Sequence, residues 1–329
     1  MSVSSPQVIC LRPEQDFPEI GVTPPRTLSI AYLAPDAPEL AENLRTAEAV
    51  IIPAVGPKLD PTLFEGSAVK LVQVTGAGVD RLDRPAMEEL GIAVANVVGG
   101  SNSALADYCV AAALNLLRRM SWASNEIRQG NYAQFRTAMI GAKLSGLDGL
   151  TVGLIGLGTI GRAVARAFKD RGARIVYFDP QVDPSAVPSD LGARPLELDV
   201  LLAEADVVTL HVPLIPATKN LIGAAELARM KPDAVLINAA RGGIVAEAAL
   251  AERLASSQLA GAAVDVYTTE PPEMSNPLLA LTGEAAERLL LTPHIAGVTR
   301  QSWAGLFEVA WANVERVVAD GEAPLNRVY

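Results

Sequence analysis

Cysteine and histidine are scarce in this 329-residue chain, with two of each. Cys10 and Cys109 cannot build a disulfide framework, which points to a reducing, cytoplasmic setting. So few histidines and cysteines leave no donor set for a His/Cys zinc site, and no metal is expected. Long apolar runs are missing too: none approaches the roughly 18 residues of a membrane span. The opening MSVSSPQVIC has neither the basic start nor the apolar core of a secretion leader. Basic charge is in short supply, 27 Lys and Arg against 37 Asp and Glu, for a net charge of −10. A phosphate backbone or an anionic membrane surface would repel such a chain, so neither nucleic acid nor membrane is an expected partner. What is present is a half-hydrophobic chain with 19% charged residues. Its length suits about two domains with sizeable cores.

Short apolar runs recur along the sequence: Leu28–Leu33, Ala49–Val55, Val69–Val74 and Ile92–Val98, then Leu150–Ile155, Arg174–Phe178, Asp206–Val212, Ala234–Ala239, Gly261–Val266 and Leu289–Thr292. Most are continuous rather than alternating, the mark of strands covered on both faces, hence of parallel sheets under helices. Helical patterns separate them, as in Ile160, Val164, Ala167 and Phe168, or Ala246, Leu250 and Leu254. The result is an α/β chain with two doubly wound parallel sheets. The two series break near Val97–Asn102, where glycines meet a helix-capping Ser/Asn cluster. Ser103–Met120 reads as one long helix, apolar on most faces and so covered on most faces. Gln301–Asp320 reads as a last helix that could extend the second series or cross back to the first.

The run Gly153-Leu-Ile-Gly156-Leu-Gly158-Thr159-Ile160-Gly161 places G-x-G-x-x-G between an apolar strand and an amphipathic helix. Gly156 suits the tight turn, Gly158 the close approach of a pyrophosphate, and Gly161 the packing of helix on strand. The helix start offers free N–H groups to phosphate. Asp179 ends the following strand, where the acidic residue of a dinucleotide site accepts from the ribose hydroxyls and repels a 2′-phosphate. The expected cofactor is therefore NAD rather than NADP.

Ligands of an open parallel sheet bind beyond the carboxyl ends of its strands. Three later strands end on polar residues there: Arg241 before Gly242-Gly243, Asp265 with Glu270 just beyond, and His294 after Pro293. Taken singly, Arg241 could be a surface or capping arginine, Glu270 a solvated loop acid and His294 a strand-end residue. Together they suit the reduction of a 2-oxo acid. Imidazole donates the proton, the carboxylate favours the imidazolium and fixes the ring, and the guanidinium holds the substrate carboxylate. His211, in His-Val212-Pro213-Leu, also ends a strand and suits a structural or backbone cofactor-lining role better than proton transfer.

With these motifs stand Val74-Thr-Gly76-Ala77-Gly78-Val-Asp80, Ala106-Asp107-Tyr108, Met230-Lys-Pro232, Asn238-Ala239-Ala-Arg241-Gly-Gly, Val264-Asp265-Val266 with Glu270-Pro271, and Thr292-Pro293-His294-Ile-Ala. Over roughly residues 65–315 the chain resembles the NAD-dependent, D-isomer-specific 2-hydroxyacid dehydrogenases. The resemblance implies a Rossmann nucleotide-binding domain, 101–297, and a discontinuous flavodoxin-like substrate domain, 1–100 and 298–329, separated by a substrate cleft. It implies Arg241, Glu270 and His294 as catalytic residues, with Ala77, Gly78, Arg241 and His294 meeting the substrate. Gly156, Gly158, Thr159, Ile160, Gly161, Asp179, His211, Val212, Pro213, Ala239, Arg241, Asp265 and His294 would line NAD, with Asp265 on the nicotinamide carboxamide. It also implies a homodimer joined through the nucleotide domain and the long helix. The substrate would be a small 2-oxo or 2-hydroxy acid such as glyoxylate, hydroxypyruvate, pyruvate or a bulkier analogue. Departures are Asp107 where Glu is commoner, no Asp just before Glu247, and a poorly matching first 65 residues without a normal first helix around Gln15–Pro25. Glu270 argues against formate, whose dehydrogenases carry Gln there. Two other readings of the same fold are a dinucleotide-sensing, corepressor-like interaction protein and a dehydrogenase of an unusual anion such as phosphite.

Overall fold

A computed structural model describes residues 5–329. Backbone contacts divide the chain into two units, one formed by the chain up to Ser101 together with Val298–Tyr329, the other by Asn102–Gly297. The final helix, Arg300–Val318, thus belongs with the first sheet.

The first unit holds five parallel strands, β1 (Val8–Cys10), β2 (Ile30–Tyr32), β3 (Ala49–Pro53), β4 (Leu71–Thr75) and β5 (Ala93–Ala95), in the order β2-β1-β3-β4-β5. β1 is absent from the strands read off the sequence, although it lies between two neighbours. Its apolar run is only a few residues long, too short to register as periodicity, and pairing on both sides makes it a strand. The first helix is short, Asp16–Ile20, and buries Phe17 against Phe307 and Trp311 of the final helix, with ring centroids 4.9 and 5.6 Å apart. Residues 326–329 run along β5: Val328 N–H donates to the Val94 carbonyl, and Val94 N–H to that of Tyr329. That pairing covers an otherwise open sheet edge.

The second unit holds seven parallel strands, β6 (Thr151–Ile155), β7 (Arg174–Phe178), β8 (Arg194–Pro195), β9 (Val207–Leu210), β10 (Val235–Asn238), β11 (Gly261–Val264) and β12 (Leu289–Leu291). Their order, β12-β11-β10-β9-β6-β7-β8, reverses direction between β6 and β9, the switch point at which open α/β sheets take ligands. The central strands are buried throughout, as their unbroken apolar runs predict. The predicted long helix is two helices, Asn102–Leu117 and Met120–Arg128. Arg119, at φ 51°, breaks the run, and the Asn115 side chain accepts from the Ser121 N–H at 2.9 Å, capping the second helix. Apolar periodicity does not register a cap supplied from the preceding helix. The first of the two packs on helix Thr159–Lys169 and the backs of β10 and β11. Among the described residues no helix is long and apolar enough to cross a membrane, and no cluster of three His, Cys, Asp or Glu could hold a metal.

Candidate active site

The glycine loop leaves β6 at the switch point. Gly156 has φ 98°, and a Cβ there would stand 2.5 Å from the His211 carbonyl oxygen, so the crossing of this loop with the end of β9 requires glycine. A Cβ on Gly158 would meet nothing within 4 Å. The Gly158 face is open, and no side chain caps the start of helix Thr159–Lys169. An uncapped helix start behind an open glycine face fits the pyrophosphate of a dinucleotide. Asp179 accepts from the Leu157 N–H at 2.8 Å and the Gln181 N–H at 2.9 Å, one on each carboxylate oxygen. It therefore shapes the loop, and each oxygen keeps a lone pair for a ribose hydroxyl. Thr159, Ile160 and Gly161 form the first turn of that helix. His211, Val212 and Pro213 follow β9, and Ala239 follows β10.

His211 bonds through Nε2 to Thr209 Oγ1 at 3.0 Å, and Thr209 Oγ1 lies 3.7 Å from Cys109 Sγ. Burial pushes its imidazole down to about 3. It is neutral near pH 7, which suits lining rather than proton transfer.

Beyond β10, Asn238 shapes the turn that carries Arg241, donating through Nδ2 to the Arg241 carbonyl at 3.1 Å and accepting the Ala240 N–H at 3.2 Å. Arg241 itself donates to the Ala240 carbonyl at 2.7 Å. The next residue must be glycine, since a Cβ at Gly242 would fall 1.8 Å from the Tyr267 carbonyl oxygen.

Beyond β11 and β12 the acid and the imidazole meet. Glu270 Oε2 stands 2.7 Å from His294 Nδ1, and Glu270 Oε1 accepts the Tyr267 N–H at 3.0 Å. Burial pushes the Glu270 carboxyl up, but the hydrogen bonds from His294 and Tyr267, with the charges of His294 and Arg241, outweigh it and hold the group below its usual range. Glu270 is therefore an ionised acceptor at neutral pH. Nδ1 of His294 carries the proton between them, which leaves Nε2 outside the pair. The two side chains keep 23% and 31% of their surface exposed, accessible yet partly desolvated. Glu247, to which the sequence reading gives no role, pins the Glu270 loop by accepting from the Thr268 N–H at 2.8 Å and Asn276 Nδ2 at 3.0 Å. No local motif around Glu247 announces that contact, because it joins segments more than a helix apart.

Asp265 is 1% exposed. Its carboxylate accepts from Thr292 Oγ1 at 2.6 Å, from the Ile295 N–H at 2.8 Å and from the Ala296 N–H at 2.8 Å. In the first unit, Ala77 and Gly78 follow β4, and Asn96 Nδ2 donates to the Ala77 carbonyl at 2.7 Å, fixing the loop.

Residues 110–296 match the family model described as D-isomer specific 2-hydroxyacid dehydrogenase, NAD binding domain. A D-3-phosphoglycerate dehydrogenase of Archaeoglobus fulgidus is 35% identical over 265 residues, covering 80% of this chain and 48% of that protein. The chain thus spans about half the length of that relative. A glycerate dehydrogenase of Methylorubrum extorquens is 33% identical over 282 residues, 85% of this chain and 86% of its own. Among solved structures, a glyoxylate reductase from Paecilomyes thermophila superposes with a TM-score of 0.79 at 27% identity, covering 99% of both chains. Motif order, sheet topology and these matches agree: the chain belongs to the D-isomer-specific 2-hydroxyacid dehydrogenases.

Proposed function

We propose that the protein interconverts a small 2-oxo acid and its D-2-hydroxy acid with NAD(H). The observation that carries this reading is the 2.7 Å Glu270–His294 pair on the sheet edge that also bears Arg241 and the glycine loop. Bound dinucleotide supplies or accepts the hydride at the substrate C2. Arg241 holds the substrate carboxylate and polarises its carbonyl. His294 delivers its Nε2 proton to the carbonyl oxygen in reduction and takes it back in oxidation. Glu270 steadies the imidazolium and orients the ring. Ala77 and Gly78 are assigned as backbone donors to the substrate carboxylate, and Asp179 as the ribose acceptor that favours NAD over NADP. A complete acid–base pair and enzyme-named relatives give the sensor reading no support.

The test is a panel of glyoxylate, hydroxypyruvate and pyruvate with NADH, followed by absorbance. Turnover of at least one supports the reading, and none with any of them overturns it. Gly158→Ala separates binding from folding. Its Cβ meets no protein atom, so thermal stability is retained while NADH affinity falls about tenfold or more.

A homodimer is part of this reading. Helix Tyr132–Ala142 buries none of its residues, and Ile127, Tyr132 and Ile140 are each more than half exposed. These exposed apolar side chains are assigned to the association face of that dimer. Light scattering that gives a monomer at micromolar concentration would remove it.

A further inference from the structure

His294 sits at φ 55°, a left-handed conformation that residues with side chains rarely adopt. The contacts holding it converge on Asp265. The His294 N–H donates to the Asp265 carbonyl at 2.8 Å, and the next two N–H groups donate to its two carboxylate oxygens. Successive N–H groups around a left-handed residue form a nest, the concavity that backbones present to anions. Here the anion is the protein's own buried carboxylate. Thr292 Oγ1 adds a further donor at 2.6 Å, and Tyr108 Oη lies 2.7 Å from that same Oγ1.

The direction of these bonds follows from counting protons. Both carboxylate oxygens of Asp265 already accept from backbone N–H groups, and the single hydroxyl proton of Thr292 goes to the same carboxylate. Tyr108 must then donate to Thr292. Burial raises the Tyr108 phenol well above the usual tyrosine value, so it stays protonated at any working pH. Tyr108 is carried by helix Asn102–Leu117, where its neighbours Ala106, Cys109 and Val110 are buried in the core. A second phenol, Tyr267, donates to the Thr292 carbonyl at 3.0 Å and fixes the same turn from another side.

We propose that Tyr108 and Thr292 are positioning residues. Their hydroxyls act in series through Asp265 to hold the left-handed turn that sets the His294 ring against Glu270, and they touch neither substrate nor cofactor. The proposal rests on the reading of His294 as the proton donor. It also gives Asp265 a second task beside any contact with nicotinamide, since three donors already occupy its carboxylate.

Tyr108→Phe keeps the ring and removes the proton. Thr292→Val removes the hydroxyl at nearly constant shape, and Thr292→Ser restores it. The expected result for Tyr108→Phe is a kcat lower by about five- to tenfold, with KM and the NADH dissociation constant within about twofold. Thr292→Val loses at least as much, and Thr292→Ser regains most of it. Amide hydrogen exchange across residues 291–297, followed by mass spectrometry, reads the turn independently of turnover and accelerates severalfold in Tyr108→Phe and Thr292→Val. Unchanged exchange across that peptide in Tyr108→Phe overturns the proposal, as does a loss confined to KM. If Thr292→Val does not fold, Tyr108→Phe decides alone. If the parent protein reduces no 2-oxo acid while exchange responds as expected, the functional reading fails and the hydroxyl series stands.

Discussion

The chain's two histidines follow two strands of one parallel sheet, β9 and β12, and end at the same edge, yet their surroundings suit them to opposite tasks. His211 meets a threonine hydroxyl, which is itself set against a buried thiol, and burial holds the imidazole neutral down to about pH 3. His294 keeps a quarter of its surface and faces a carboxylate that is itself held ionised. A negative partner suits an imidazole to acid–base work, and a setting without one, where desolvation prevails, suits it to lining. The sharpest way to break this contrast is to swap the outcomes. His294→Asn is expected to lower kcat/KM for reduction by about a thousandfold with NADH affinity within threefold. His211→Asn should cost less than about fivefold in kcat. Steady-state kinetics and fluorescence titration of NADH measure both, and a larger loss at His211 would reverse the assignment.

Removing the partner rather than the imidazole tests the cause of the contrast. Glu270→Gln keeps the shape and a hydrogen-bonding atom but removes the charge, so the imidazolium loses its stabilising anion. The expected effect is a loss of up to about a hundredfold in kcat for reduction, together with a fall-off of reduction that begins at lower pH than in the parent protein. A pH–rate profile of unchanged shape would mean that Glu270 orients His294 without influencing its charge.

The contrast also explains what the sequence could disclose. The parallel sheets were legible because strands buried on both faces must be apolar throughout, and the glycine loop because close backbone contacts leave no choice of residue at Gly156. Arg241, Glu270 and His294 could be read because each follows a recognisable strand, so topology alone carries them to one edge. β1 was not, since three residues between paired neighbours need no pattern of their own. Neither was the support beneath the site. Glu247 on the Glu270 loop, Asn238 under Arg241 and Tyr108 behind Thr292 act through side-chain hydrogen bonds between segments, and such pairings leave no periodic trace. The same limit applies to the helix break at Arg119, which depends on one capping contact from Asn115.

The smallest expected effect concerns stability. His211 has an imidazole depressed from 6.5 to about 3 by burial, so between those values the unfolded chain binds a proton that the folded chain refuses. The stability that this neutral histidine permits is therefore complete above pH 6.5 and declines as the pH falls toward 3. At pH 5 the loss from this one group amounts to about 2 kcal/mol relative to pH 7.5. Other groups titrate over the same range, so the wild-type curve alone does not isolate it. The difference between the parent and His211→Asn does, because the variant lacks that proton site while keeping a polar group opposite Thr209. Denaturant unfolding at pH 7.5 and pH 5 should show the variant losing about 2 kcal/mol less than the parent on acidification. Equal losses would mean that His211 takes up its proton in the folded state, and burial would no longer account for the contrast between the two histidines.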